Sequence, residues 1–334
     1  MSNWAKTAAI AIILIIIAVA GAYLYTAKQQ PANEAVTIRA ATLQGGISTL
    51  DIIESKSLLG GGYKLQVLRL QKTPDIIAAL ANNETDLAVI PAEMAGRLIE
   101  DGSDVRIIAV EMMQNQAILV KDPAIESPSQ LEGRLVGAVV ASGTYKIFKA
   151  YMKVAYGLDV VEGDSPRDGV VTVVNVPPGS ILDALNTGQV DAIVIWEPLV
   201  SMGLAKGDRI LASYTSLWRE AGMKGDPVML VWVARGEFVD KHPGAVKAFL
   251  KARDKAVDTW LGDRDETFRI LSKLYRIDEA VFNKLYERTK PLLVKGALTE
   301  GQAESIREVW WLAWKGGYLE KDPATIPDSV FYHG

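Results

Sequence analysis

Residues 76–90, IIAALANNETDLAVI, lie without a gap over residues 181–195, ILDALNTGQVDAIVI, at an offset of 105 positions. Ile76 falls on Ile181, Leu80 on Leu185, Asp86 on Asp191 and Ile90 on Ile195. Each segment reads as a helix, a polar turn and a buried strand. Each also follows a strand, a small-residue loop and a helix, with LQGGIS in the first copy and ASGT in the second. Generic α/β periodicity would match the apolar positions alone. The paired aspartates and equal turn lengths ask for two related lobes.

The rest of the chain from Val36 fits that frame. VTIRAAT (36–42), KLQVLRL, DLAVI (86–90), RLVGAVV, GVVTVVNV and DAIVI read as strands alternating with short helices, the rhythm of mainly parallel α/β sheets. Thr73-Pro74 supplies a cap followed by proline in a first turn, and Ser127-Pro128 repeats it. GDPVMLVWVARG (225–236) reads as one long strand able to cross back to the first lobe, and from Asp240 the chain is helical. Trp310, Trp311 and Trp314 fall at helix spacing and suit core packing.

Composition excludes several classes. With 36 Lys and Arg against 40 Asp and Glu and no long run of one sign, there is no basic stripe for nucleic acid. The absence of cysteine removes disulfides, thiolate metal sites and cysteine nucleophiles. His242 and His333 are the only histidines, too few for a histidine-rich metal site, and no cofactor is expected.

The N-terminus carries TAAIAIILIIIAVAGAYLY, uncharged from Thr7 to Tyr25. As a helix it spans about 28 Å, close to a hydrocarbon core of ~30 Å, and its tyrosines suit the interface. We read residues 1–6 as a cytoplasmic end, 7–25 as a transmembrane anchor and 26–35 as a tether, with the globular part outside the cell membrane. AVA and AGA also fit cleavage of the same segment as a signal peptide.

Two such lobes face each other with their strand carboxyl ends, where open sheets bind ligands. Four junctions then surround one cleft: Gln44–Ser48, Pro91–Glu93, Ser142–Tyr145 and Trp196–Pro198. Ser142, Gly143 and Thr144 offer free N–H groups, two hydroxyls and the positive end of a helix dipole, an anion site, and equally make an ordinary helix cap. Trp196 walls or stacks on a small ligand and Glu197 receives a donor or cation. Glu93 and Glu197 as a catalytic acid–base pair is the competing reading. Asn83-Glu84-Thr85 is a glycosylation sequon in a turn.

SPSQLEGRLVGAVVASGTYKIFKAYMKVAYGLD resembles the second-lobe opening of the nitrate, sulfonate, taurine and thiamine-precursor class of ABC-importer solute-binding proteins. ILDALNTGQVDAIVIWEPLV, VARGEFVDKHPGAVKAFLKA and TEGQAESIREVWWLAWKGGYLEKD are similar to later motifs of that class, in the same order. The resemblance covers nearly everything from Val36 to Asp322. It implies a type II periplasmic-binding-protein fold: two Rossmann-like α/β lobes joined by a hinge, here after one N-terminal transmembrane helix. Lobe 1 takes residues 36–118 and 225–334 and lobe 2 takes 119–224, with crossings near 114–121 and 222–228. It further implies a monomeric, non-enzymatic receptor that delivers a small anion or zwitterion to a permease and an ATPase. An enzyme on the same fold, making pyrimidine precursors or processing small acids, is the alternative. Carried onto this chain, the ligand-facing residues are Gln44, Gly45, Gly46 and Ser48; Pro91, Glu93 and Asn115; Ser142, Gly143, Thr144 and Tyr145; and Trp196 with Glu197. Many members of the class carry a cleaved signal or a lipid-bearing cysteine where this chain has its apolar run.

Overall fold

The computed structural model describes residues 35–334. The expected anchor, residues 7–25, lies outside the described residues, as do residues 1–6 and nearly all of the tether. Among the described residues no helix is long and apolar enough to cross a membrane.

The first half opens with β1 (Val36–Leu43), the short helix α1 (Leu50–Ser55) and β2 (Tyr63–Leu70). Helix α2 (Thr73–Ala81), β3 (Leu87–Pro91), α3 (Ala92–Glu100) and β4 (Val105–Met113) follow. The chain then crosses to β5 (Ala117–Val120), β6 (Leu135–Ala138), α4 (Gly143–Tyr156), β7 (Val160–Glu162) and β8 (Val171–Asn175). It continues through α5 (Ile181–Asn186), β9 (Ala192–Ile195), α6 (Leu199–Ala205), β10 (Arg209–Ser213) and α7 (Tyr214–Glu220). It returns in β11 (Val228–Arg235) and closes with α8 (Gly236–Lys241), α9 (Pro243–Gly262), α10 (Arg264–Tyr275), α11 (Glu279–Thr289) and α12 (Glu300–Lys315).

Two sheets result, in the orders β2-β1-β3-β11-β4 and β10-β5-β9-β6-β8-β7. In the first, β1 runs parallel to β2 and β3, while β11 is antiparallel to β3 and β4. In the second, β6 runs parallel to β8 and β9, and β5 is antiparallel to β9 and β10. Each sheet thus takes in one strand that arrives by a crossing from the other. Apart from edge strand β7, one order is the other with β1 replaced by β6, β2 by β8, β3 by β9, β11 by β5 and β4 by β10.

The paired aspartates have the same job in both copies. The Asp86 N–H donates to the Arg39 carbonyl across the β3–β1 edge, and the Arg39 N–H and guanidinium donate to the Asp86 carboxylate. The Asp191 N–H donates to the Leu135 carbonyl in the same way, and its carboxylate accepts from the Leu135 N–H and from Arg134. Asn83 and Gly188, 105 apart, both take a left-handed conformation where the polar turn leaves its helix.

The expected elements stand with local corrections. Thr73 is the first residue of α2 rather than its cap, and Lys72 holds the cap position without a side-chain bond. Ser127 does cap through a Ser127/Gln130 capping box, but it opens only a short 3₁₀ turn, Pro128–Leu131. Strands β4, β5, β7 and β10 were not expected. Trp310 is fully buried and donates its Nε1–H to the Ala92 carbonyl at 2.8 Å, whereas Trp311 is exposed.

Candidate ligand-binding cleft

A cavity of about 40 Å³ lies between the carboxyl ends of the two sheets. By the measure in which one water needs ~10–15 Å³, it admits a small solute group. The first sheet supplies Thr42 and Leu43 at the end of β1, Gly46 and Ile47 from the loop, and Pro91 at the end of β3. Thr73 and Ile76 on the first turn of α2, with Val89 of β3 and Met229 and Leu230 of β11, complete that side. The crossing between β4 and β5 supplies Asn115 and Gln116. The second sheet supplies Ser142, Gly143 and Thr144 at the start of α4, then Trp196 and Glu197 beyond β9. No lysine, arginine or histidine is among the cavity's lining residues.

The start of α4 is both cap and candidate anion site. Ser142 takes an extended backbone as N-cap; its Oγ accepts from the Tyr145 N–H and donates to the Val139 carbonyl. Its hydroxyl proton is therefore used within the fold. The N–H groups of Gly143 and Thr144 belong to the first turn, which has no intrahelical acceptor for them. Thr144 Oγ1 accepts from Gln116 Nε2 at 2.8 Å and keeps its own proton to donate. Two more buried polar atoms in the wall have no partner, Gln116 Oε1 and Trp196 Nε1.

The acidic residues differ in their support. Glu197 is wholly buried; Oε1 accepts from Arg288 Nε of α11 at 2.5 Å and Oε2 from the Ser201 N–H at 3.0 Å. Burial pushes its carboxyl up, opposed by the Arg288 charge and the Ser201 bonds. Asn115 bridges to it by accepting from the Glu197 N–H. Glu93 is equally dry, but its Oε1 has no partner, and burial pushes the carboxyl up to about 7.

Of the residues proposed from sequence, Gly46, Pro91, Asn115, Ser142, Gly143, Thr144, Trp196 and Glu197 meet around the cavity. Gln44 lies at a small side opening. The structure does not bring the others to the wall. Gly45 is exposed at the tip of its turn, and Ser48 is buried beneath the loop with its N–H on Asp51. Tyr145, at the third position of α4, turns inward with its hydroxyl on Glu162. Glu93 stands behind Gly143, so the two glutamates do not line the cavity as a catalytic pair. Asn83, at the opposite end of β3, has its side-chain oxygen held by Arg235, and Thr85 is buried. Gln116 and Arg288 were missed. Gln114-Asn115-Gln116 did carry a signal, three amides interrupting an apolar run, whereas Arg288 reaches the site only through helix packing far along the chain.

The model of the NMT1-like family matches residues 50–275. The chain belongs to that family. It is 29% identical over 196 residues to the taurine-binding periplasmic protein of Escherichia coli K12, covering 58% of this chain and 55% of that one. A putative aliphatic sulfonates-binding protein of Bacillus subtilis is 30% identical over 138 residues, 40% of either chain. The chain thus matches about half the length of the first of these relatives and less of the second. Among solved structures, it superposes on the alkanesulfonate-binding protein SsuA of Xanthomonas axonopodis pv. citri, bound to MOPS, with a TM-score of 0.72 and 17% identity. That match covers 90% of this chain and 99% of the other. The nitrate-binding protein NrtA of Synechocystis PCC 6803 gives a TM-score of 0.66 at 18% identity, covering 89% and 86%. The fold of this NMT1-like chain is that of the type II periplasmic binding proteins.

Proposed function

We propose that this protein is a non-enzymatic, extracytoplasmic solute-binding receptor that closes two lobes over a small sulfonate-like anion or zwitterion. It delivers the solute to an ABC permease and ATPase. Lobe 1 is residues 36–118 with 225–334 and lobe 2 is 119–224; hinges lie at the crossings, and residues 7–25 tether the monomer to the membrane. The observation that carries the reading is the cavity at facing strand ends, walled from both sheets and fed by the free N–H groups of α4. The named relatives support the sulfonate class.

The wall favours a singly charged, diffuse anion such as a sulfonate or nitrate. With no cation lining the cavity, the charge is held by N–H dipoles at the start of α4, by the Thr144 hydroxyl and by Trp196 Nε1. A compact dianion would need cations to offset its desolvation. The test is native mass spectrometry and thermal shift of the full chain in detergent against taurine, alkanesulfonates, nitrate and bicarbonate. Saturable binding of a sulfonate or nitrate is expected. Turnover of a bound solute would replace this reading with the enzyme alternative.

A further inference from the structure

Glu93 is the second residue of α3, on the first-sheet side of the cleft, 3% exposed and with Oε1 unpartnered. Much of what covers it comes from the second sheet. Gly143 is seated so closely that a Cβ there would overlap Glu93 Oε1 and the Pro91 ring. Tyr151 of α4 and Tyr214 of α7 lie within its electrostatic reach, as does Tyr318 beyond α12; burial first, then neighbouring charge including that of Glu93, pushes all three phenols up. None of these groups serves Glu93. Tyr151 bonds to Gln114 in the crossing, Tyr214 donates to the Thr144 carbonyl at 3.0 Å, and the nearby indole of Trp310 donates to Ala92. On its own helix, Arg97 is held by Asp101 and Glu320, and Glu100 accepts from the Glu320 N–H. Among the described residues no cation answers Glu93.

We propose that the two lobes close with a proton on Glu93, so that an ionised Glu93 biases the receptor open. This rests on the two-lobed receptor reading. A carboxylate without a counter-charge cannot be carried into dry contact without a large desolvation cost, whereas an open cleft lets water solvate it. The closed form, with Glu93 pushed up to about 7, holds a proton that an ordinary carboxyl of 4.5 has released. The closed-to-open ratio is therefore highest below about pH 4.5, falls as pH rises from there to about 7, and is level above that. The drop is roughly 30- to 300-fold. Near neutral pH, capture takes up a proton and a rise in pH favours release.

The chain has no cysteine, so two introduced ones carry spin labels without background. Gln71 and Pro178 line the small opening beside the cavity, which places labels at Gln71→Cys and Gly179→Cys across its mouth. Inter-label distances are measured by pulsed electron paramagnetic resonance on the full chain in detergent, without solute, from pH 5 to 8.5. The short-distance population is expected to fall as pH rises from 5 to about 7 and to level off above that, and to stay at its pH 5 level in Glu93→Gln. An unchanged native distribution overturns the proposal, as does pH-dependent opening in Glu93→Gln. Carbon-13 titration of the Glu93 carboxyl in the native chain needs no variant, and a midpoint below pH 5 overturns it too. Taurine as an added probe separates the two readings: opening that follows pH while taurine fails to bind supports the role of Glu93 and counts against the sulfonate class.

Discussion

Strands β3 and β9 occupy the same place in the two sheets, and each is followed by a buried glutamate, Glu93 in one and Glu197 in the other. Their surroundings have diverged. Glu197 receives an arginine from α11 and an N–H from α6, and it faces the cavity. Glu93 receives no cation and no N–H but its own, and is covered by the bare α-carbon of Gly143. Burial pushes both carboxyls up, but only Glu197 has a cation to hold its charge. A shared scaffold thus fixes where a carboxylate stands, while the C-terminal helices added to one side decide whether it is charged there.

Removing that cation should erase the difference, with the largest effect. Arg288→Ala leaves Glu197 buried and unpaired, and we expect about 2 kcal/mol of lost stability at pH 8. That is below the usual cost of breaking a buried pair, because Arg288 is 27% exposed and water screens it. The loss should shrink as pH falls and Glu197 takes a proton. Adding Glu197→Gln should recover most of it. Thermal unfolding of the three variants at pH 5 and 8 checks this; an equal loss at both pH values would mean that packing, not charge, is what Arg288 supplies.

The lobes were legible in the sequence because a repeat constrains more than periodicity does. Asp86 and Asp191 stand out from the repeat alone, and each ties the start of its own strand to the neighbouring parallel one. Most of the cleft was legible for a related reason: ligand loops at strand ends are local features, so Ser142–Thr144 and Trp196-Glu197 could be placed from short stretches. What stayed hidden depends on direction or distance. One residue of helix phase separates Thr144, on the wall, from Tyr145, turned to Glu162. Arg288 meets Glu197 across 91 positions of sequence, which no local pattern encodes. The unpartnered state of Glu93 is a property of what surrounds it and cannot be read from its own segment.

The glycine over Glu93 offers a second way to sharpen the contrast. Gly143→Ala puts a methyl where the Glu93 carboxyl and the Pro91 ring already sit, at an expected cost of about 1–2 kcal/mol to the closed form. In a Glu93→Ala background the overlap with the carboxyl is gone and only that with the Pro91 ring remains, so the cost should fall in part. Urea denaturation of the four chains of this cycle gives the coupling directly. Additive costs would show that Gly143 serves the helix start and not the contact with Glu93.

The smallest effect on stability should come from Trp196, which stands in β9's copy where Pro91 stands in the other. Its Nε1–H is buried without a partner, so the folded chain without solute gains no hydrogen bond from it. Trp196→Phe keeps an aromatic wall and removes that donor along with some ring volume. We expect a stability change within about 0.5 kcal/mol, since the lost packing is offset by freeing the fold of an unsatisfied polar group. Solute binding should respond differently. If the N–H reaches a sulfonate oxygen, its loss weakens affinity by about 1–2 kcal/mol, because a charge-assisted bond is removed from a dry site. Calorimetry with the best-binding sulfonate, set beside thermal unfolding of the empty chain, separates the two quantities. Equal affinity in both proteins would mean that Trp196 contributes only its ring to the wall, and that the anion is held from α4 alone.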